Sequence, residues 1–284
     1  MKNIISIDVE QWFHRPVLRQ YLKETDLNSE VIFNSVRCIL GILKKYNKCT
    51  TFFILGEVAK QAPELIEEML DGGHEIAFHG YSHLELSDIG IKGFEKEIQD
   101  WTKIIYHITK ERIKGFRSPV FSLNKETVWA LDVLRKNGYI YDSSVFPVKT
   151  PMYGSDNAPI RPYFPSFKDP FLEDENQTEL LELPILVRDY WFKRIPAGGG
   201  FYMRALGVKF IVDSIELLNK KGHPAMCYFH PWEIYGFPKI NMPFHKKIFS
   251  YYSVPCREGF EKLVKNTMMA PACEIIDRYG VDDR

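Results

Sequence analysis

Seven short apolar runs, each followed by a stretch of different periodicity, constrain the fold more than any other feature. They are NIISID (3–8), TTFFILG (50–56), HEIAFHG (74–80), IKGFRSP (113–119), YIYDSS (139–144), LLELPILV (180–187) and PAMCYFH (224–230). Uninterrupted β-branched and aromatic runs of this length read as buried strands. Helical patterns fall between them. Residues 29–46 place Ile32, Val36, Ile39, Leu40 and Leu43 on one side, and APELIEEMLDGG (62–73) starts with proline and stops at glycines. Further helices are predicted over 91–110, within NKETVWALDVLRKNG (124–138), over 207–221 and over 256–267. Strand and helix in alternation mean parallel βα units. No linker divides them, so one domain is expected over residues 1–284. Seven repeats in that length point to a distorted (β/α)7-type barrel rather than an open sheet. Residues 146–178, rich in Pro, Asn and Asp, read as an irregular insertion, with Tyr153, Tyr163 and Phe164 as material for a lid.

A parallel barrel carries its site at the C-terminal ends of its strands. The polar residues there are Asp8 and Glu10, His79, Arg117, Asp142 and His230. Asp8 and Glu10 are two apart, so in a strand they share a side. HGYSH (79–83) sets His79 and His83 at i and i+4, one face of a helical turn. Alone, such a pair is often an incidental surface feature. Beside two carboxylates it makes a facial triad for a divalent metal with open positions. One acid then binds the metal and the other stays free as a base.

Composition narrows the choice. Hydrophobic residues are 45% and charged residues 26%, an ordinary globular balance, and formal net charge is zero, which points away from nucleic acid and from an anionic membrane. Aromatic residues reach 14%, suited to a core and also to a groove for sugar rings. The five cysteines, Cys38, Cys49, Cys227, Cys256 and Cys273, form no CxxC pair and read as reduced buried thiols. No apolar run is long enough to span a membrane, and MKNIISIDVE lacks the form of a signal peptide. A cytoplasmic protein, free or associated with the inner face of the membrane, is therefore expected. His14 reads as a rim residue, and His74, His107, His223 and His245 as surface or loop positions. The GGG at 198–200 reads as a close backbone approach near the site mouth.

The stretches SIDVE, TTFFILG, HGYSH, GFRSPVF, YDSSVFP and CYFHPWE, in this order over residues 6–233, resemble the polysaccharide deacetylases of carbohydrate esterase family four, the NodB homology domain. DVE followed by aromatics, with IPAGGGFYMR (195–204), is most similar to a branch found in bacterial exopolysaccharide loci. The resemblance implies roles. Asp8 matches the general base, and Arg117 the arginine that orients it. His79 and His83 match the metal histidines. The metal acid usually follows the base directly, but Val9 stands there and Glu10 comes one later. His230 matches the general acid, and Asp142 the acid of the fourth motif, which would hold that imidazole protonated. The backbone N–H of Val120 would serve the oxyanion, and Tyr228 and Trp12 would line the acyl and sugar pocket. The implied cofactor is a divalent metal, zinc first, with iron, cobalt or nickel as alternatives. The implied substrate is an N-acetyl or N-formyl amino sugar in a surface glycan such as O-antigen or exopolysaccharide, or its lipid- or nucleotide-linked precursor. An allantoinase-like hydrolysis of a small amide, or a non-catalytic glycan-binding role, are the competing expectations.

Overall fold

The computed structural model describes residues 1–14, 18, 21–22, 30–236, 243 and 254–281; His245 lies outside them. Strands β1 (Ile4–Val9), β2 (Thr51–Ile54), β3 (Glu75–Phe78), β4 (Gly115–Phe116) and β5 (Tyr141–Asp142) follow one another in both chain and sheet. β6 (Pro165–Ser166) and β7 (Asp169–Glu173) form a separate antiparallel ribbon. β8 (Leu181–Glu182) pairs with β5, β9 (Val187–Tyr190) and β10 (Lys193–Pro196) make a hairpin, and β11 (Met226–Phe229) returns beside β1. The main sheet therefore has seven strands in the order β11-β1-β2-β3-β4-β5-β8, every pair parallel. A parallel bridge between Ile185 and Met226 joins its two sides, so the sheet curls into the expected barrel-like form.

Parallel strands are covered on both faces, which is why their sequences are continuously apolar. In β1, Ile4, Ile5, Ile7 and Val9 are all buried. Ile5, Ile7 and Val9 join the core under the outer helices, whereas Ile4 belongs to the inner cluster. Period-two alternation thus turns Ile4, Ser6 and Asp8 toward the barrel interior. The sequence of β1 is amphipathic after all: apolar outward to the helices, polar inward near its end.

The helices form close to expectation, at Glu30–Lys45, Pro63–Asp71, Trp129–Lys136, Val208–Lys220 and Arg257–Asn266. The helical stretch expected from 91 begins earlier, at Leu86, and is kinked at Gly90, whose φ is 63°. The strand expected over 180–187 breaks at Pro184, which has no N–H for the ladder, so only Leu181–Glu182 pair with β5.

The insertion is not a lid. Tyr163 is buried, its backbone pairs with Glu182, and its hydroxyl donates to the carbonyl of Pro170 at 2.5 Å. The Tyr153 ring packs against Phe121 and Phe146. Buried aromatics contribute roughly 1.5–3 kcal/mol each, enough to stitch this segment to the barrel. All five cysteines are unpaired, with Cys227 and Cys256 buried and the other three half-buried. His74 is a core residue rather than a surface one: its Nδ1 accepts from the Thr50 amide at 3.2 Å, and burial pushes it down to about 4.

Candidate metal centre and active site

The carboxylates at the end of β1 lie in the barrel mouth, each 2% exposed. Asp8 is held from one side. Arg117, fully buried at the end of β4, donates from Nη1 to Asp8 Oδ1 at 2.5 Å and to Ser6 Oγ at 2.8 Å. Its Nε donates to the Ser143 carbonyl at 3.1 Å, its Nη2 to Ser143 Oγ at 2.9 Å, and its carbon lies 4.0 Å from the Phe53 ring centroid. A guanidinium this satisfied fixes the carboxylate in one orientation.

Glu10, His79 and His83 bring one donor atom each within 4.8 Å of one another, all three residues buried. The convergence does not come from a helical turn. Residues 79–83 are a loop in which Gly80 has φ 82° and His83 φ 56°, and this left-handed backbone swings the second imidazole back. His79 Nδ1 sits 2.9 Å from the Arg117 carbonyl, so Nδ1 carries the proton and Nε2 presents its lone pair to the cluster. Burial pushes His79 down to about 4, so it is neutral, as a ligand must be. Glu10 Oε2 lies in direct contact with His83 Nε2 and has no other polar partner among the described residues. Burial raises the Glu10 carboxyl, but the His83 and His230 imidazoles outweigh it and hold it far below the usual carboxylate range. Two imidazoles and one carboxylate, all buried and convergent, are the donor set a catalytic divalent cation takes.

His230, at the end of β11, faces the cluster with Nε2 3.4 Å from Glu10 Oε1. Trp232 stacks on its ring at 4.6 Å, the planes nearly parallel at 16°. Burial pulls this imidazole down, yet the Glu10 and Glu233 carboxylates outweigh burial and leave it raised.

Asp142 does not hold His230, contrary to expectation. Its Oδ1 accepts from the Ser143 amide at 2.8 Å and Ser144 Oγ at 2.5 Å, and it lies against Glu182. The partner of His230 is Glu233, whose Oε2 accepts from His230 Nδ1 at 2.9 Å and from the His230 amide at 3.1 Å. Its other oxygen accepts from Arg204 Nη2 at 2.7 Å, with both side chains almost fully buried. Burial raises Glu233, but Arg204 and then His230 bring it down to about 2. Sequence reasoning missed this pair. The signal was there: Pro231 at the first helical position and a glutamate at the third is a capping-box spacing, with His230 as the cap. Arg204 comes from the helix Gly200–Leu206, whose first residue abuts the Glu233 carboxylate.

Tyr228 borders the same mouth, and Val120 belongs to the short turn Pro119–Phe121 that meets it through Phe121. Val120 (φ 57°) and Phe121 (φ 52°) are both left-handed, strain costing about 1–3 kcal/mol each and tolerated where geometry is imposed. The amides of Phe121 and Ser122 are used by Ser118 and Pro119 carbonyls within the turn. The Tyr228 ring meets Phe121 at 4.9 Å and His230 at 5.7 Å, and belongs to an aromatic cluster with Phe146 and Tyr153. Trp12 is not on the pocket surface: it is 1% exposed, packed with Leu18 and Trp232. His14 is closer to the centre than a rim residue, its ring stacked 5.5 Å from that of His83.

A curled parallel sheet with a histidine–histidine–carboxylate cluster at its strand ends places the chain in the class of deacetylase-type (β/α)7 barrels. Its shape agrees with a putative polysaccharide deacetylase from Mycobacterium smegmatis (TM-score 0.64, 19% identity, 98% of this chain and 89% of that one). It agrees also with the PuuE allantoinase (TM-score 0.61, 14% identity, 97% and 88%). At such identities the likeness is one of fold. Sequence carries it further. Residues 34–141 match the polysaccharide deacetylase family, and residues 143–276 match a domain of unknown function (DUF3473). Among relatives, the peptidoglycan-N-acetylmuramic acid deacetylase PdaC of Bacillus subtilis is 38% identical over 31% of this chain and 19% of its own length. The chitooligosaccharide deacetylase of Sinorhizobium fredii is 31% identical over 34% of this chain and 42% of its own. The matches thus span less than half of either relative.

Proposed function

We propose that the chain is a divalent-metal-dependent deacetylase that hydrolyses the N-acetyl, or N-formyl, amide of an amino sugar. The observation that carries the reading is the pairing of a base held by a buried arginine with three metal-type donors and, across them, an imidazole held by its own carboxylate. Glu10, His79 and His83 would hold the cation. When bound, it supplies Lewis-acid charge for the acyl oxygen and acidity for the attacking water.

The chain's residues do the rest. Asp8, fixed by Arg117, takes the proton of the attacking water. The Val120 amide would donate to the oxyanion, a contact typically worth about 3 kcal/mol. His230 keeps Nδ1–H on Glu233 and offers Nε2–H to the leaving amine. Tyr228 and Phe121 wall the space for the acyl methyl. Asp142 takes no part in proton transfer; through Ser143 and Ser144 it props the residues that hold Arg117 and the Ser118 amide. A glycan of the cell surface, such as O-antigen or exopolysaccharide, or its lipid- or nucleotide-linked precursor, is the substrate class we favour. Zinc is the metal first to try.

The test is metal analysis with turnover. The chain should carry one divalent ion, lost in His83→Ala, and release acetate from N-acetylglucosamine oligomers. Asp8→Asn should lower kcat by about 10²–10⁴-fold with the ion retained. Turnover of allantoin but not of the oligomers would move the reading to small amides. Undiminished function in Asp8→Asn would mark a glycan binder.

A further inference from the structure

We propose that the tip of the β9–β10 hairpin is a membrane-docking element that seats the barrel mouth on an anionic bilayer surface. Trp191 is 96% exposed and Phe192 61%, and together they form the two-residue turn between paired Tyr190 and Lys193. Trp191 is the most exposed large hydrophobic side chain among the described residues. Trp12, Trp101 and Trp232, by contrast, are buried. Two aromatic rings in water at a protruding tip are costly unless something covers them.

Their surroundings indicate what does. Lys193 Nζ lies 5.7 Å from the Phe192 ring centroid, and the Arg188 guanidinium lies over the Tyr190 ring at 5.4 Å and the Phe210 ring at 5.1 Å. The hairpin segment 187–196 holds Arg188, Lys193 and Arg194 against the single acid Asp189, a local positive excess within a chain of zero net charge. Arg194 fastens the base, donating to the carbonyls of Pro147 at 3.0 Å and Ala158 at 2.7 Å. The element is therefore a fixed, braced prong. Adjacent Tyr, Trp and Phe with cations behind them match the depth profile of a bilayer interface: rings among the headgroups, cations at anionic phosphates.

A glycan fits the tip less well. The Trp191 and Phe192 rings cross at 75°, so they offer no common plane for successive sugar rings. The one carboxylate of the hairpin, Asp189, faces Arg194 at 3.6 Å rather than a ligand's hydroxyls.

The direction of the prong gives the contact meaning. Ile185 bridges Met226 in parallel and the Leu186 amide donates to the Met226 carbonyl, so the chain enters β9 heading toward the end where His230 lies. Five residues at roughly 3.3 Å each carry Trp191 about as far along that direction as His230. Coming back, the segment after β10 bonds through Gly198 to the Tyr228 amide, beside the aromatic wall of the mouth. A bilayer under the tip would thus face the barrel mouth.

Sedimentation of the full chain with vesicles decides this, whether or not the chain is a deacetylase. Vesicles of phosphatidylcholine mixed equally with phosphatidylglycerol should bind it, and phosphatidylcholine alone should bind it weakly. Trp191→Ser with Phe192→Ser should lower the partition onto the mixed vesicles by about tenfold or more, and Lys193→Glu by about fivefold. The blue shift of tryptophan emission on adding mixed vesicles should vanish in Trp191→Phe. Absence of binding to the mixed vesicles, or equal binding by the folded double variant, would overturn the proposal. So would loss of turnover on soluble oligomers in that variant without vesicles, which would make the tip a glycan subsite.

Discussion

Replacing Gly200 by alanine adds one methyl at a position that governs His230 without touching it. A Cβ there would lie 2.5 Å from the Glu233 carboxylate carbon and Oε2, and 2.6 Å from Oε1. Carbon and oxygen atoms in ordinary contact need about 3.4 Å or more, so the carboxylate must retreat by roughly 1 Å. Its bond to His230 Nδ1, now 2.9 Å, would then pass beyond hydrogen-bonding range. Displacements of this size cost on the order of 10²-fold in rate. Gly200 opens a helix in a conformation open to any residue, so alanine brings no backbone strain of its own and gains about 0.5–1 kcal/mol of helix preference. Acetate release should fall about 10²-fold in kcat with KM little changed, and the thermal midpoint should fall as well, because the displaced carboxylate also loosens its buried pair with Arg204. A double-mutant cycle with Glu233→Gln checks the route, because the second substitution should add almost nothing to the first. Activity within about threefold of the parent, or full additivity with Glu233→Gln, would refute the reasoning.

Arg117→Met should destabilise by about 3–5 kcal/mol, since it strands the buried Asp8 charge, and urea unfolding would read the loss. A smaller change would mean that Asp8 finds another partner. The Asp142–Glu182 pair predicts a pH effect on stability. Burial pushes Asp142 up to about 6 and Glu182 well above its usual value, and each keeps one oxygen with no other hydrogen-bond partner among the described residues, which a shared proton would join. Carboxyls raised by folding stabilise fully below their unfolded values near 4, and that contribution fades as pH rises through their folded values. The thermal midpoint should therefore drop between pH 5 and pH 8, and the drop should be much smaller in Glu182→Gln, which keeps a donor without a titrating proton. Equal slopes in both proteins would exclude the shared proton.

The barrel and half of the site were legible because they follow from short periods. Two-residue alternation in β1 places Ser6 and Asp8 inward, and the polar residue ending each apolar run marks the mouth. What escaped depended on contacts far apart in sequence or on unusual backbone. His79 and His83 converge through left-handed Gly80 and His83, which a helix-like spacing hides. Asp142 occupied the right motif position, but Ser144 and Glu182 claim its carboxylate and leave none for His230. The Arg204–Glu233 pair links residues 29 apart on two helices, beyond any local pattern except the cap at His230. Proline-rich segments read as loops, which makes Tyr163 and Tyr153 lid material in sequence, whereas burial of Tyr163 and the packing of Tyr153 on Phe121 and Phe146 decide their place.

The division of the proposed chemistry along the chain has a consequence for how such a protein changes. His79, His83 and Arg117 lie in the stretch matched to the deacetylase family, while Arg204, Tyr228, His230 and Glu233 lie in the stretch matched to the domain of unknown function. On the proposed reading, handling of the departing amine would be wired separately from the metal-type donors. Grafting a different second stretch onto this first half would retune which leaving groups are accepted while the ion's cradle stayed as it is.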